Sequence, residues 1–429
     1  MQDLLKKMGL RKWGFKKLGV GIVVVTFLLG FGSVALADDN KSKLNPLEIK
    51  TKTPDPLLPQ STLERPLNEL ETQQLRTALD ELNAQATAQL NAGNSPAAFE
   101  IWYRELRLRR SLGTLEEVRS LGRVGEIAWN NNKSTEVQVI TQRLQAIQQQ
   151  LEAKNKKPAK TSASTSALKI EDADIPALLQ ALATAYQQMR SPGLALPIYQ
   201  QILADTKARQ DTTAQVATLK TMGELQMSWF DYPASAATYE ELLNLALAQG
   251  DSFNQVVYIQ QLAYIYDKAK KPENALKMKQ QLAESYLNKK DIAQLTPLKI
   301  AIASDYEAMG KPDEASQNYQ EAYSLALSIQ QFAYASDALQ KLAALHKSYD
   351  DLDYALQVYQ IRVQVDQQSY NYYGLMNTYD QMGQIYVQQK KYSDALTFFQ
   401  KGLELAKSLK YQETYFTTQI DRVTQQSSQ

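Results

Sequence analysis

The sequence lacks cysteine altogether and has a single histidine, His346. Without cysteine there can be no disulfide framework, no thiol nucleophile, no lipidated cysteine and no cysteine-based zinc site, and one histidine cannot build a site that needs two. Glycine and proline are also scarce, at 17 and 14 of 429 residues, which disfavours collagen-like chains and turn-rich all-β folds. The 44% hydrophobic and 22% charged residues are typical of a folded protein. These absences exclude much enzyme chemistry before any motif is considered.

Residues 1–37 have the order of a secretory signal peptide. A basic stretch ending at Lys17 precedes an uncharged run from Leu18 to Ala37, and that run closes on a small-x-small triplet before Asp38. The pattern predicts cleavage after Ala37, although an uncleaved run of this length would serve as a membrane anchor. In both cases the rest of the chain is predicted to lie outside the cytoplasm, in a periplasm or a lumen.

The charge balance after this segment argues against nucleic-acid binding. Its removal takes away six basic residues and one acidic residue, which leaves 41 Lys+Arg against 45 Asp+Glu and a formal charge of −4. No basic excess remains to neutralise phosphates, so no nucleic-acid partner is expected.

Two stretches interrupt an otherwise helical pattern. Residues 38–66 contain five prolines, a density that prevents regular helix and predicts an extended linker. Residues 154–170 are rich in Lys, Ser and Thr and are predicted to form a flexible insertion.

An internal repeat of 40 residues governs the rest of the chain. In the unit that begins at Ala303, this small residue is followed by Tyr306, then by Ala315 and Tyr319. The spacing predicts a helical hairpin in which the small residue lets two backbones approach and the aromatic rings fill the remaining space. A single hairpin cannot bury both of its faces, so neighbouring hairpins must stack. The six small residues that begin the units are Ala183, Gly223, Ala263, Ala303, Ala343 and Gly383.

This pattern resembles the tetratricopeptide repeat (TPR), whose usual period is about 34 residues. We attribute the longer period to a longer second helix or loop, as in Leu245–Asp251, and note that Lys279 and Ser235 replace an expected aromatic residue and an expected alanine. The resemblance implies an all-α fold, a right-handed TPR superhelical solenoid of about eight antiparallel helix pairs. Two degenerate units are assigned to 67–153 and six regular units to 171–410, followed by a capping helix and tail at 411–429.

In the TPR family the first helix of each unit lines a concave groove that binds a partner. Transferred to this sequence, the resemblance gives a polar, amide-rich groove of mixed charge, suited to an extended peptide held by backbone hydrogen bonds. The groove departs from the chaperone-tail class of TPR proteins, because only Lys220 and Lys341 could clamp a terminal carboxylate. The groove residues implied are Gln180, Thr184, Lys220, Glu224, Gln260, Tyr264, Ser304, Glu307, Lys341, Lys347, Asp380 and Gln384.

The sequence offers no catalytic motif, so no enzyme activity and no cofactor are expected. His346 occupies the slot that holds tyrosine in other units and is interpreted as a half-buried packing residue. Asp350, Asp351 and Asp353 form a compact acidic turn that could hold a hard cation, but they lack the spacing of a calcium loop. A helix-capping turn is the favoured interpretation, which leaves these three as weak metal candidates.

The leading hypothesis is therefore an exported, non-enzymatic scaffold that binds a protein or peptide. A narrower resemblance, in architecture alone, is to cyanobacterial extracytoplasmic TPR proteins of the PratA type. It implies assistance to photosystem II assembly, an outer-facing segment of a membrane complex as partner, and manganese held by the acidic triplet. The alternative is an envelope or secretion-machinery adaptor that docks a cell-wall enzyme.

Overall fold

The computed structural model describes residues 45–48, 55–59, 65–156 and 175–428, and residues 46–429 belong to one unit. The predicted signal peptide and most of the predicted insertion lie outside the described residues. The described chain is all-α, with no strand in these ranges, and consecutive helices pack as pairs. The helices are α1 (Glu69–Asn91), α2 (Ser95–Arg109), α3 (Thr114–Asn130), α4 (Ser134–Lys156), α5 (Ile175–Gln188), α6 (Pro192–Ala208), α7 (Thr212–Ser228), α8 (Tyr232–Ala248), α9 (Ser252–Lys268), α10 (Pro272–Asn288), α11 (Ile292–Ala308), α12 (Pro312–Ser328), α13 (Phe332–Ser348), α14 (Leu352–Gln368), α15 (Tyr372–Gln388), α16 (Tyr392–Leu409) and α17 (Glu413–Ser427).

The expected solenoid of about eight helix pairs is confirmed. Helices α1–α4 form two pairs, α5–α16 form six, and α17 packs on the last pair. Below, the odd-numbered member of each pair is called its first helix and the even-numbered member its second helix.

The 40-residue repeat consists of two equal halves, which differs from the longer second helix or loop expected from the sequence. Helices α7 and α8 both have 17 residues and are joined by a short turn. In each turn one residue takes a left-handed conformation, and the next N–H closes the helix, as where Lys271 donates to the Tyr266 carbonyl oxygen at 2.9 Å. The left-handed residues recur every 20 positions: Arg190, Gln210, Phe230, Gly250, Lys270, Lys290, Gly310, Gln330, Asp350, Tyr370, Lys390 and Lys410.

The small residues that begin the units allow the close approach that was predicted. A Cβ added to Gly223 would lie 2.7 Å from the ring of Tyr239, and one added to Gly383 would lie 2.8 Å from the ring of Phe399. The ring on the second helix therefore lies directly on the backbone of the first helix, and it is buried there.

The other recurring aromatic residue, three positions after the small residue, joins its hairpin to the preceding one. The hydroxyl of Tyr186 donates to Oε1 of Gln148 on α4 at 3.1 Å, and Gln280 on α10 donates to the Tyr306 hydroxyl at 2.8 Å. His346 lies in the equivalent place, with Nε2 3.0 Å from Oγ of Ser316 on α12. The structure thus gives this histidine the packing position that its place in the repeat predicts.

The residues inserted between α4 and α5 interrupt the repeat, and two glycines of α3 allow the helices on either side of this interruption to pack together. A Cβ on Gly122 would lie 2.9 Å from Cβ of Ala185, and one on Gly125 would collide with the side chain of Met189. Helix α5 therefore packs closely against α3 at these two glycines, which keeps the array continuous across the residues inserted between α4 and α5.

Two pieces of the proline-rich segment lie against the helices, whereas the sequence predicts an extended linker there. Leu47 is fully buried in the hydrophobic core that also contains Leu106 and Leu121. Leu57 and Leu58 pack against a separate apolar cluster built by α1 and α2. Proline prevents a helix in this segment, but it does not prevent the leucines that follow from being buried.

Ion pairs and hydrogen bonds hold both pieces in place. Arg104 Nε lies 2.8 Å from Oδ2 of Asp55, and Arg143 Nη1 lies 3.0 Å from Oε1 of Glu48. The hydrogen bond from the Arg104 guanidinium lowers the pKa of Asp55, and its effect is larger than the opposite effect of partial burial. A signal for this docking exists in the sequence, since the dipeptide Pro-Leu recurs every ten residues from Pro46.

Candidate functional site

The residues assigned to the groove all lie on first helices, and most of them reach the surface. Gln180, Thr184, Glu224, Gln260, Tyr264 and Glu307 are exposed, and Lys220, Ser304, Lys341, Lys347 and Gln384 are half-buried. Only Asp380 is buried, with 8% of its surface exposed. Below, these twelve residues are called the first-helix surface. Because the repeat is regular, they stand at related positions on six consecutive first helices.

Towards α9 the first-helix surface combines cations with aromatic rings. Lys220 Nζ lies 5.7 Å from the ring centre of Tyr258, and Lys268 Nζ lies 5.3 Å from that of Tyr264. Gln260 donates to the Tyr286 hydroxyl at 2.6 Å. Half of the Tyr264 side chain is exposed, so this ring is available to a partner.

Towards the C-terminus the surface becomes a hydrogen-bonded cluster of opposite charges. Oδ1 of Asp380 accepts from the Tyr415 hydroxyl at 2.9 Å, and Oδ2 accepts from Gln384 at 2.8 Å. Lys347 Nζ donates to Gln381 at 3.1 Å. Burial raises the pKa of Asp380 and lowers the pKa of Lys347, because it disfavours the charged form of each group.

Helix α17, which the sequence analysis expected only as a cap, completes this end and contributes side chains that were not assigned to the site. Tyr415 and Arg422 of α17 line a cleft of about 250 Å³ together with Gln384 and Phe399. Helix α17 follows α16 at the spacing of a further first helix, and that spacing was the available signal.

The acidic triplet does not form a metal site. Oδ1 of Asp350 accepts from Gln388 at 3.1 Å, Oδ1 of Asp353 accepts from Gln389 at 3.0 Å, and Oδ2 of Asp351 lies 3.0 Å from Nδ1 of His346. The three carboxylates therefore point to three different partners. Within the described residues no group of three or more acidic or histidine side chains is placed to hold a metal ion, so the triplet does not fit manganese.

Grooves between consecutive second helices form a further surface, which the sequence analysis did not consider. One, of about 840 Å³, lies between α10 and α12 with α11 as its floor. A smaller one of about 460 Å³ lies one repeat earlier, between α8 and α10 over α9. Leu247 and Leu287 line them at equivalent positions and are 55% and 59% exposed. Exposed leucines 40 residues apart on second helices were the missed signal.

Residues 377–409 match the family model described as "Tetratricopeptide repeat". The chain contains a tetratricopeptide repeat. The match covers most of α15 and all of α16, within the last of the six regular hairpins. No curated protein matches the chain, and the narrower PratA-type resemblance finds no support in these comparisons.

Comparison with solved structures gives matches of low similarity to this chain. BtubC (BKLC) from P. vanneervenii is 15% identical with a TM-score of 0.35, over 49% of this chain and 89% of that chain. Aspartyl phosphate phosphatase F from Bacillus subtilis is 13% identical with a TM-score of 0.38, over 71% and 78%. NprR in complex with its cognate peptide NprX is 14% identical with a TM-score of 0.28, over 72% and 83%. Alignments at these scores carry no argument about function. Separately, none of the described helices is both long and apolar enough to cross a membrane.

Proposed function

We propose that this chain is a non-enzymatic scaffold that binds an extended segment of a partner protein on its first-helix surface. The observation that carries the proposal is the row of polar side chains on six consecutive first helices, exposed or half-buried except for Asp380. Amides and charges of both signs can satisfy the N–H and C=O groups of a peptide backbone along its length.

The shifted titrations on this surface favour binding over catalysis. Asp380 is held by Tyr415 and Gln384, and Lys347 by Gln381. Each group is thus engaged with neighbours that position it. Burial accounts for both pKa directions, so neither shift requires a catalytic role.

As part of the proposal, the scaffold works outside the cytoplasm and assists the assembly of a membrane complex, by binding an outer-facing segment of one of its subunits. The support is the order of charge and apolar residues in 1–37, which is that of an export signal. No cofactor forms part of this proposal.

The test begins with crosslinking in the native cell, using protein tagged at its C-terminus, and identification of captured partners by mass spectrometry. Capture of subunits of a membrane complex or their precursors supports the assembly role. Capture of cell-wall enzymes or secretion components alone contradicts it and leaves the scaffold in place.

Affinity for the captured partner is then measured with a triple variant, Lys220→Ala, Tyr264→Ala and Lys341→Ala. The expected result is a loss of about tenfold or more, since a few central residues dominate most interfaces. The matched control changes two lysines and an exposed tyrosine away from this surface: Lys289→Ala, Lys290→Ala and Tyr349→Ala. Full affinity in the first variant contradicts the assignment of the surface.

A further inference from the structure

The groove between the second helices α2 and α4 is already filled, and its occupant is the chain's own Pro46–Glu48. Leu47 is fully buried there. Arg107 donates to the Pro46 carbonyl oxygen at 2.8 Å, Arg110 donates to the Leu47 carbonyl oxygen at 2.6 Å, and Arg143 pairs with Glu48 at 3.0 Å. The groove therefore holds a short extended segment through a buried leucine, two backbone carbonyls and one charged side chain.

The groove between α10 and α12 is the same structural position several hairpins later. Arg107 and Glu284 stand at the same position within α2 and α10, counted from the first residue of each helix. Arg143 and Glu321 correspond in the same way within α4 and α12. The α10–α12 groove thus has the architecture that holds Leu47 in the α2–α4 groove.

The charge of the groove is reversed between the two sites. Around Leu47 three arginines, Arg107, Arg110 and Arg143, accompany one acid, Glu117, which pairs with two of them. Three acids and one base line the α10–α12 groove, and the base, Lys299, pairs with Glu321 at 2.7 Å. A segment that fits the open groove must therefore carry a basic residue where the filled groove takes Glu48.

The floor of the open groove is apolar and has room for a side chain. It is lined by Ala283, Leu287, Leu295, Ile302 and Leu325 within about 840 Å³. Leu287, in the open groove, is 59% exposed. The equivalent end of the α2–α4 groove is instead covered by Pro46–Glu48. Burying a leucine-sized side chain on such a floor is the main favourable term available to a ligand.

We propose that the groove between α10 and α12 binds an extended segment of a partner protein in which a leucine-sized apolar residue is followed by lysine or arginine. The apolar residue occupies the place that Leu47 takes between α2 and α4. The basic residue pairs with Glu321, at the position equivalent to Arg143. None of the twelve residues of the first-helix surface lines this groove, so the inference is independent of that surface.

The probe is a fluorescein-labelled peptide of residues 43–50 that carries the change Glu48→Lys. Two reference peptides accompany it, the unaltered 43–50 sequence and a version with both Glu48→Lys and Leu47→Ser. Binding to the full chain is measured by fluorescence anisotropy at low salt. The Glu48→Lys peptide is expected to bind at least about fivefold more tightly than the unaltered peptide, and the Leu47→Ser change is expected to abolish binding. Preference for the unaltered peptide would place binding in the α2–α4 groove and overturn the proposal.

Three protein variants locate the site. Leu287→Ser is expected to weaken binding of the Glu48→Lys peptide about tenfold, because it removes the exposed part of the floor. Glu321→Lys is expected to invert the preference in favour of the unaltered peptide. Leu70→Ser, at a leucine of α1 that is 64% exposed and lies outside both surfaces, is the matched control and leaves binding unchanged. Circular dichroism checks that the variants remain folded, which the exposure of Leu287 favours. Binding unaffected by Leu287→Ser, or lost in the Leu70→Ser control, overturns the proposal.

Discussion

The ammonium group of Lys279 lies 2.8 Å from Oδ2 of Asp305 on the next hairpin. Lys279 occupies the slot where Tyr319 and Tyr359 place buried rings in later repeats, and it also pairs with Asp267 at 3.0 Å. Burial by itself would lower the pKa of Lys279, but the hydrogen bonds to both carboxylates raise it. The repeat thus replaces an apolar contact with an ion-pair bridge between two hairpins.

Removal of this lysine should be costly. In Lys279→Ala the half-buried Asp305 loses its cation, so we expect the free energy of unfolding to fall by about 2–3 kcal/mol. This loss is smaller than that for breaking a fully buried ion pair, because Asp267 is partly solvated. Urea unfolding followed by circular dichroism measures the change. Lys277→Ala, an exposed lysine on the same helix, is the control and should change stability by less than about 0.5 kcal/mol. Equal stability of the two variants would show that the bridge contributes nothing.

Glycine at the start of a unit is required where a ring lies on the backbone. Gly223→Ala places a methyl group 2.7 Å from the Tyr239 ring, so we expect a loss of about 1–2 kcal/mol as the ring is displaced. Gly193→Ala is the matched control, since a Cβ there has no heavy atom within 4 Å. That change should be neutral or stabilising, because alanine restricts the unfolded chain. Thermal unfolding of both variants distinguishes the effects, and a destabilised Gly193→Ala would contradict the packing argument.

The buried leucine of the N-terminal segment should hold that segment on the helices. Leu47→Ala is expected to cost about 2–3 kcal/mol and to make the piece 45–48 more susceptible to protease. Limited proteolysis with mass spectrometry locates the cleavage, and urea unfolding gives the energy. Leu70→Ala, at a side chain that is 64% exposed, serves as the control. A Leu47→Ala protein cleaved no faster than the control would mean that Arg104, Arg107 and Arg143 suffice to hold the segment.

Asp380 should make the stability of the C-terminal end depend on pH. Burial raises its pKa above the unfolded value of about 3.9. Its contribution to stability is therefore fully present below that value and is lost as pH rises through the folded pKa. The unfolding temperature of the wild type should thus fall relative to that of Asp380→Asn as pH rises from 4 to 7. Asp421→Asn, at an exposed carboxylate on α17, is the control. An offset between the wild type and Asp380→Asn that stays constant with pH would refute the assignment.

Much of the fold could be predicted because it depends on residues that are close in sequence. The small residue at 223 and the aromatic residue at 239 belong to one hairpin, and their spacing repeats along the chain. Proline at 192, 272 and 312 begins α6, α10 and α12, where no backbone donor is needed. The equal division of the period was missed, since the length of each helix depends on where its turn takes a left-handed residue, and most of these residues are not glycine.

The candidate site was predicted only as far as the family pattern reaches. First-helix positions follow from the register, but the hydrogen bond from Tyr415 to Asp380 crosses 35 residues and joins the capping helix to α15. The acidic residues at 350, 351 and 353 are adjacent in sequence, and their carboxylates nevertheless diverge to separate partners. Adjacency in sequence does not place side chains together when each of them has a nearer hydrogen-bond partner.

The sequence by itself determined that this chain is a stack of helical hairpins, because apolar periodicity and close backbone approach within a hairpin are local properties. Only the tertiary structure decided that Leu47 is buried between α2 and α4, and that a similar groove between α10 and α12 is open and acidic. Those features arise from contacts between residues distant in the chain, such as Glu48 with Arg143, where burial and charge pairing depend on which surfaces the stacking brings together.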